Sequence, residues 1–460
     1  MIRVGFSQVN ITPEPGLPMA GMLRPPKAQG AQWPLFGRVT VLDDGVRRAA
    51  VVCLDLLALM PQTVAELRQA MAAGTDIEPA AIMITCTHTH RGPYTVPVMD
   101  EEANFAYLDL LRERLVGAMI EALAARQPAQ LKVGLADAPG WTFNRRPIYR
   151  TDMGEQVGTQ GPLWVEHFSR MEGPVDSELQ VLLAEDMEGK TLGGLVNYAC
   201  HTTVMGGEPF YSADYAGELT EVLAARYGGI FGFLQGAAGN LWVRDQSHDH
   251  PWVESGPAYN RQMGSALADK AGEALARAHS LEDGPVRMAR RVLRIPQRRP
   301  TAEQVALAKW YLEEAPEDID HDEFIRRIYG HPYAFYSNGP VVEEWFARET
   351  IGMWEWQRRA GTRELYEDVE VQVIAIGNVA IAGFPAEYFT EFGLRTKAGS
   401  PFAHTLVAEL ANGWHGYVPT EEAFAHGGYE ARLGFQSRLA PEAGDRMCEA
   451  ALELLAELAR

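Results

Sequence analysis

Two short apolar runs in this chain lead straight into histidine. Ala81–Cys86 (AIMITC) is followed by Thr87-His88-Thr89-His90, and Leu192–Cys200 (LGGLVNYAC) by His201. Runs of this length, rich in Ile, Val, Tyr and Thr, read as buried strands. Ligands and catalytic groups of α/β proteins gather at the carboxyl ends of such strands. Strand side chains alternate with period two, so His88 and His90 are expected to point to the same side. Three imidazoles from distant parts of the chain suggest a metal site.

Other strand-like runs end in clusters of the same kind. They lead into Gln235–Asn240 (QGAAGN), into Glu387 within GFPAEYF, and into Asn412–Tyr417 (NGWHGY). If these strands share one sheet and point the same way, all the clusters meet at one edge. His88, His201 and Glu387 would then offer two imidazoles and a carboxylate, a set suited to hydrolytic zinc. Each residue also has a plainer reading. A histidine at a strand end is commonly a hydrogen-bonded structural residue, Glu387 can cap the helix that follows it, and Tyr417 can be a packed aromatic.

The elements needed to position these residues are legible. Arg38–Leu42 and Arg47–Leu54 flank the turn Asp43-Asp44-Gly45. Helical spacing follows at Pro61–Gly74 and Asn104–Arg126, and a strand at Gln130–Ala136. Trp141–Pro174 lacks periodicity and reads as a long irregular segment. Leu179–Glu185 and Leu192–Cys200 form a hairpin, followed by a helix at Tyr215–Tyr227, a strand at Gly229–Leu234 and a helix at Gly256–His279. Arg287–Ile295 opens a new section. Thr301–Arg359 is helical and aromatic, with Trp310, Tyr311, Phe324, Tyr329, Tyr333, Phe335, Tyr336, Trp345, Phe346, Trp354 and Trp356. Strands resume at Val369–Ile376, Val379–Phe384 and His404–Leu410, and Leu439–Leu458 is an amphipathic helix. No internal repeat is visible. The expected fold is α/β: a mixed β-sheet core flanked by helices, the metal site at strand ends, and a helical excursion in the C-terminal half. Residues 1–460 are expected to form a single catalytic domain, with 300–360 an aromatic-rich insertion or lid.

Composition narrows the function. With 61 acidic against 41 basic side chains, the net charge is −20. That excludes a phosphate-backbone binder and disfavours stable attachment to an anionic membrane. No stretch has the length of a membrane span or the apolar core of a signal peptide. Cys53, Cys86, Cys200 and Cys448 sit in apolar or helical contexts without a CxxC spacing, consistent with reduced thiols and a cytoplasmic location. The expected partner is a small-molecule substrate, and self-association is left open.

Taken in order, the clusters resemble the neutral/alkaline (non-lysosomal) ceramidase family. Thr87–Pro93 (THTHRGP) is similar to that family's THTHSGP, and Asn144–Pro147 (NRRP) to its NRSP. Asn197–Thr203 (NYACHTT) is similar to N-x-x-C-H-P-T, Ser212–Tyr215 to SADYPG, and Gln235–Asn240 to QG-x-x-GD. Phe384–Glu387 resembles the PGE motif, and Asn412–Thr420 (NGWHGYVPT) a late Y-x-x-Y-[IV]-x-T region. The resemblance spans Ile2 to about Glu430. It implies a Zn²⁺ held by His88, His201, Glu387 and Tyr417, with His90 and Arg145 close to the substrate. Three features depart from the family. Its serine-bearing signature NPD-x-PSYGL has no counterpart in Leu241–Pro257, where Ser247 and Ser255 do not match it. Asn240 replaces the family's Asp, and the family's carboxyl-terminal immunoglobulin-like domain is expected to be missing.

The expected function is therefore zinc-dependent hydrolysis of an amide (N-acyl) bond by a metal-activated water, on a soluble substrate rather than long-chain ceramide. His90 would carry the proton to the leaving amine, and Arg145 or His90 would stabilise the oxyanion. Arg145 has a structural salt bridge as its alternative. Asp55 and Asp214 would orient ligating histidines or merely cap turns. Rival functions are an esterase or lactonase on the same zinc, a carbohydrate-active hydrolase using Trp242, Trp252 and Trp414, and a non-catalytic zinc-stabilised binding protein. His248 and His250 could mark a second metal, although a solvated loop is the plainer reading.

Overall fold

The computed structural model describes residues 1–98, 101–151, 154–158, 166–247, 255–314, 340–359 and 365–460. Among them, three sheets carry the core, and all three follow one plan. The first contains the strands Arg3–Asn10, Phe36–Asp43, Arg48–Leu54 and Ile82–Cys86. The second contains Gln130–Asp137, Glu178–Glu185, Thr191–Tyr198 and Ile230–Gln235. The third contains Val286–Pro296, Tyr366–Ile376, Val379–Gly383 and His404–Ala408.

Within each sheet the first three strands run antiparallel, and the fourth lies parallel to the third. Parallel neighbours need a crossover, usually a helix, and here it is Pro61–Ala73, Asp214–Tyr227 and Thr390–Gly399 in turn. A longer helix follows each fourth strand: Phe105–Ala124, Pro257–Ala276 and Ala443–Leu458. The same topology thus occurs three times without a repeat in the sequence. Burial pattern and turn chemistry dictate strand and helix order, and many unrelated sequences satisfy them.

The fold is mixed α/β with a helical excursion, as expected, but the strands are divided among three sheets rather than gathered in one. The strand Arg3–Asn10 escapes the sequence reading, yet it pairs along its whole length with Phe36–Asp43. The described parts of Trp141–Pro174 contain short strands that its lack of periodicity does not reveal. Phe143–Asn144 pairs with Leu241–Trp242, and Pro147–Thr151, Gly154–Val157 and Phe168–Met171 form a small sheet. These strands are too short for a period to register. In the aromatic excursion, Ala302–Glu313 and Pro340–Arg359 are helices packed on each other. Phe324, Tyr329, Tyr333, Phe335 and Tyr336 lie outside the described residues, as do His248, His250 and Trp252. No described helix is long and apolar enough to cross a membrane.

Candidate metal centre

The carboxyl ends of the third and fourth strands of the three units point toward one another, and the loops leaving them build the site. His88 lies two residues beyond Ile82–Cys86, His201 three beyond Thr191–Tyr198, and Glu387 four beyond Val379–Gly383. The alternation argument for His88 and His90 does not hold, because the strand stops at Cys86. His88 instead adopts φ +66°. This left-handed conformation is uncommon for a side chain of its size, and such strain clusters at functional sites.

Each imidazole is held the same way. Nδ1 of His88 lies 3.0 Å from the Leu57 carbonyl, Nδ1 of His201 2.9 Å from that of Ala238, and Nδ1 of His90 2.9 Å from that of Gly21. A carbonyl can only accept, so Nδ1 carries the proton and Nε2 is left with a bare lone pair. The three Nε2 atoms converge: His88 is 3.1 Å from His201 and 3.4 Å from His90. Glu387 Oε2 lies 3.3 Å from His88 Nε2 and 3.5 Å from His201 Nε2. That oxygen is buried and has no hydrogen-bond partner among the described residues. Four electron-rich atoms therefore face one point with no proton between them, which is unfavourable unless a cation fills the gap. Donors 2.0–2.1 Å from a tetrahedral ion would sit about 3.3 Å apart. The donor set fits a divalent metal, and His88, His90 and His201 form a group able to hold one.

The surroundings keep these atoms in place. Glu387 and Tyr417 are register partners in the two-stranded parallel pair Glu387–Tyr388 and Tyr417–Val418. Burial, and then the charge of the nearby Glu387, raise the Tyr417 pKa well above its ordinary 10, and Trp414 Nε1 donates to Glu387 Oε1 at 3.0 Å. Gly239 must be glycine, since a Cβ there would meet the Glu387 carbonyl at 2.5 Å. Gly21, at φ +84°, lets the chain pass so close to His90 that a Cβ would fall 2.4 Å from Nδ1. Glu387 does not cap the following helix, whose N-cap is Phe389.

Electrostatics favour the neutral form of His201 and His90. Burial, with help from nearby Arg145 and His88, lowers the His201 pKa to about 4. Burial and the neighbouring His88 and His201 hold His90 well below its ordinary value. Arg145 is buried and its Nε donates to Glu430 at 2.7 Å, its Nη2 to the Gly239 carbonyl at 2.7 Å. It also hydrogen-bonds Tyr417, and its guanidinium lies 5.5 Å from that ring centre. Arg145 is thus salt-bridged to Glu430, and it also lines the cleft. Arg146 shares Glu430 at 2.6 Å.

A cleft of about 520 Å³ opens over the cluster, lined by His88, His90, Arg145, His201, Glu387 and Tyr417 together with Met22, Leu23, Trp242, Trp345, Trp414, Tyr429 and Gln436. The sequence-derived residues are thus brought together. Asp55 and Asp214 are not. Asp55 accepts from Arg38 and the Phe36 amide, and Asp214 accepts from the amides of Val204, Met205 and Tyr215. Both fix turns, while backbone carbonyls orient the histidines.

Glu409 escapes the sequence reading. Fully buried, its Oε2 accepts from Ala238 N at 3.0 Å and Tyr388 N at 2.9 Å. Its backbone amide donates to Gln235 O at 2.9 Å, and its carbonyl accepts from Thr85 Oγ1 at 3.2 Å. One residue therefore ties together the strand that leads to His88, the loop whose Ala238 carbonyl orients His201, and the segment that carries Glu387. The available signal was an acid at the end of an otherwise apolar run, HTLVAEL.

Three sheets of one plan, with an imidazole–carboxylate cluster where their strand ends converge, define an α/β protein with a candidate metal centre. No protein-family model and no curated protein matches the chain by sequence. By structure it is similar to a ceramidase solved in complex with C2, at TM-score 0.73 and 18% identity over 100% of this chain and 75% of the other. It is equally similar to neutral ceramidase from Pseudomonas aeruginosa, at TM-score 0.73 and 18% identity over 99% of this chain and 74% of that one. The chain has a neutral-ceramidase-like fold.

Proposed function

We propose that this chain is a zinc-dependent hydrolase of amide (N-acyl) bonds acting on a soluble small molecule, with residues 1–460 working as one catalytic unit. The observation that carries the reading is the convergence of bare Nε2 atoms on a buried, unpartnered carboxylate oxygen at the floor of a cleft. The ceramidase-like fold supports an amide as the scissile bond. His88, His201, Glu387 and Tyr417 would hold the ion. Once bound, a divalent ion in such a site lowers the pKa of a water and polarises a carbonyl.

The remaining chemistry falls to the chain. His90, kept neutral by burial, is a base whose Nε2 faces the cluster and can accept a proton for delivery to the leaving amine. Burial and the nearby Glu387 hold the Tyr417 pKa well above its ordinary 10, and the charge of Arg145, fixed by Glu430, opposes that shift. A specific observation favours a second role for His90: its Nε2 is 3.4 Å from that of His88 and its Nδ1 is anchored as in the other two. It would then be a third imidazole ligand. Metal affinity separates these roles, since His90→Ala loses metal only if His90 is a ligand.

The test of the function is turnover of short- and long-chain N-acyl amides, esters, lactones and glycosides, with and without chelator. Chelator-sensitive cleavage favouring short soluble amides is expected. Failure on every amide, or cleavage indifferent to chelation, would overturn the proposal.

A further inference from the structure

The two oxygens of Glu387 have different surroundings. Oε2 lies 3.3 Å from His88 Nε2 and 3.5 Å from His201 Nε2, with no hydrogen-bond partner among the described residues. Oε1 accepts from Trp414 Nε1 at 3.0 Å. An indole N–H donates and never accepts, so this bond has one possible direction. Trp414 can therefore hold the carboxylate but cannot bind a cation through the same nitrogen.

Trp414 is itself pinned to the segment it serves. The amide of the next residue, His415, donates to the Pro385 carbonyl at 2.9 Å, and the Glu387 amide donates to the Gly416 carbonyl at 2.9 Å. The Trp414 carbonyl accepts from Arg438 Nη2 at 3.2 Å, and Arg438 Nε donates to Glu367 at 2.8 Å. Two residues earlier, Asn412 Oδ1 accepts from Ile84 N at 3.0 Å, in the strand that leads to His88. The indole thus reaches Glu387 from a loop registered against both the Glu387 segment and the His88 strand.

A carboxylate can bind a metal through one oxygen or through both. A catalytic ion needs a coordination position left for water, and a second carboxylate oxygen competes for it. We propose that Trp414 is a positioning residue that restricts Glu387 to binding through one oxygen: the indole keeps Oε1, and Oε2 alone faces the ion. The proposal rests on reading the cluster as a metal centre.

Co²⁺ is the probe, because its visible absorption weakens as its coordination number rises. Trp414→Phe keeps an aromatic ring and removes the N–H. Loaded with Co²⁺, this variant should absorb more weakly than the wild type, as Oε1 joins Oε2 on the ion. Chelator competition should show its metal affinity lower by about 10- to 100-fold. A spectrum or an affinity unchanged from the wild type would overturn the positioning role and leave the metal centre standing. A wild type that takes up neither Co²⁺ nor Zn²⁺ defeats the metal reading, and the proposal with it. Crystals of the Zn²⁺-loaded wild type give a readout that does not depend on the variant folding. Oε2 at about 2.0–2.2 Å from the ion, with Oε1 still bonded to Trp414 Nε1, is the expected result. Both oxygens at that distance would overturn the proposal.

Discussion

Removing the Glu409 carboxyl should loosen two supports of the site at once, the loop whose Ala238 carbonyl orients His201 and the segment that carries Glu387. Glu409→Leu keeps the apolar volume but leaves Ala238 N and Tyr388 N, now 3.0 and 2.9 Å from Oε2, without an acceptor. A buried donor stranded in this way costs about 1–3 kcal/mol, so the pair amounts to roughly 2–6 kcal/mol. That is a large part of the ~5–15 kcal/mol that holds a typical protein folded. The Ala238 carbonyl orients His201, and Tyr388 adjoins Glu387, so metal affinity should fall as well. Glu409→Gln keeps an oxygen for both amides and should behave nearly as the wild type. It also isolates the charge. Burial, and after it the nearby Glu387, raises the Glu409 pKa well above its ordinary 4.5. The folded state therefore holds a proton that the unfolded chain releases, and the stability this gives is complete below 4.5 and declines as pH rises. In metal-free protein, Glu409→Gln should gain on the wild type as pH rises above 4.5. Denaturant midpoints across pH, and chelator competition for metal, read both effects. A Leu variant as stable and as metal-avid as the Gln variant would refute the tie.

Two further outcomes follow. Tyr417→Phe keeps the ring but removes the hydroxyl that interacts electrostatically with Glu387 and Arg145. Its turnover and metal affinity should fall by more than the ~10- to 100-fold usual for outer-sphere groups, and near-normal values would show that the phenol oxygen is not a ligand. The metal-free protein should lose stability in acid. His201 is neutral when folded down to about 4 but gains a proton below 6.5 once unfolded. Its contribution is present above 6.5 and is lost as pH falls toward 4. Denaturant midpoints should drop across that window, less steeply in His201→Gln, and a profile unchanged by the substitution would contradict the assignment.

Much of the site was legible because chemistry-bearing residues stood at the ends of apolar runs. His88, His201 and Glu387 could each be placed at a strand end from local pattern alone. Tyr417 could not, since a tyrosine in a glycine-rich loop looks like any packed aromatic, and only family resemblance singled it out. The threefold topology was hidden because burial alternation constrains residue class and leaves identity free. The histidine orienters were misjudged for a related reason. Carboxylates are visible in a sequence as candidate partners, whereas the carbonyls of Leu57, Ala238 and Gly21 belong to residues whose side chains say nothing about the role.

The central claim is that the converging Nε2 atoms and Glu387 Oε2 surround a metal ion. Anomalous scattering from crystals of the purified protein, recorded on both sides of the zinc absorption edge, tests it most directly. One strong peak is expected at about 2.0–2.2 Å from Nε2 of His88 and His201 and from Glu387 Oε2, present above the edge and much reduced below it. Well-ordered imidazoles from zinc-replete crystals with no anomalous peak between them would contradict the account.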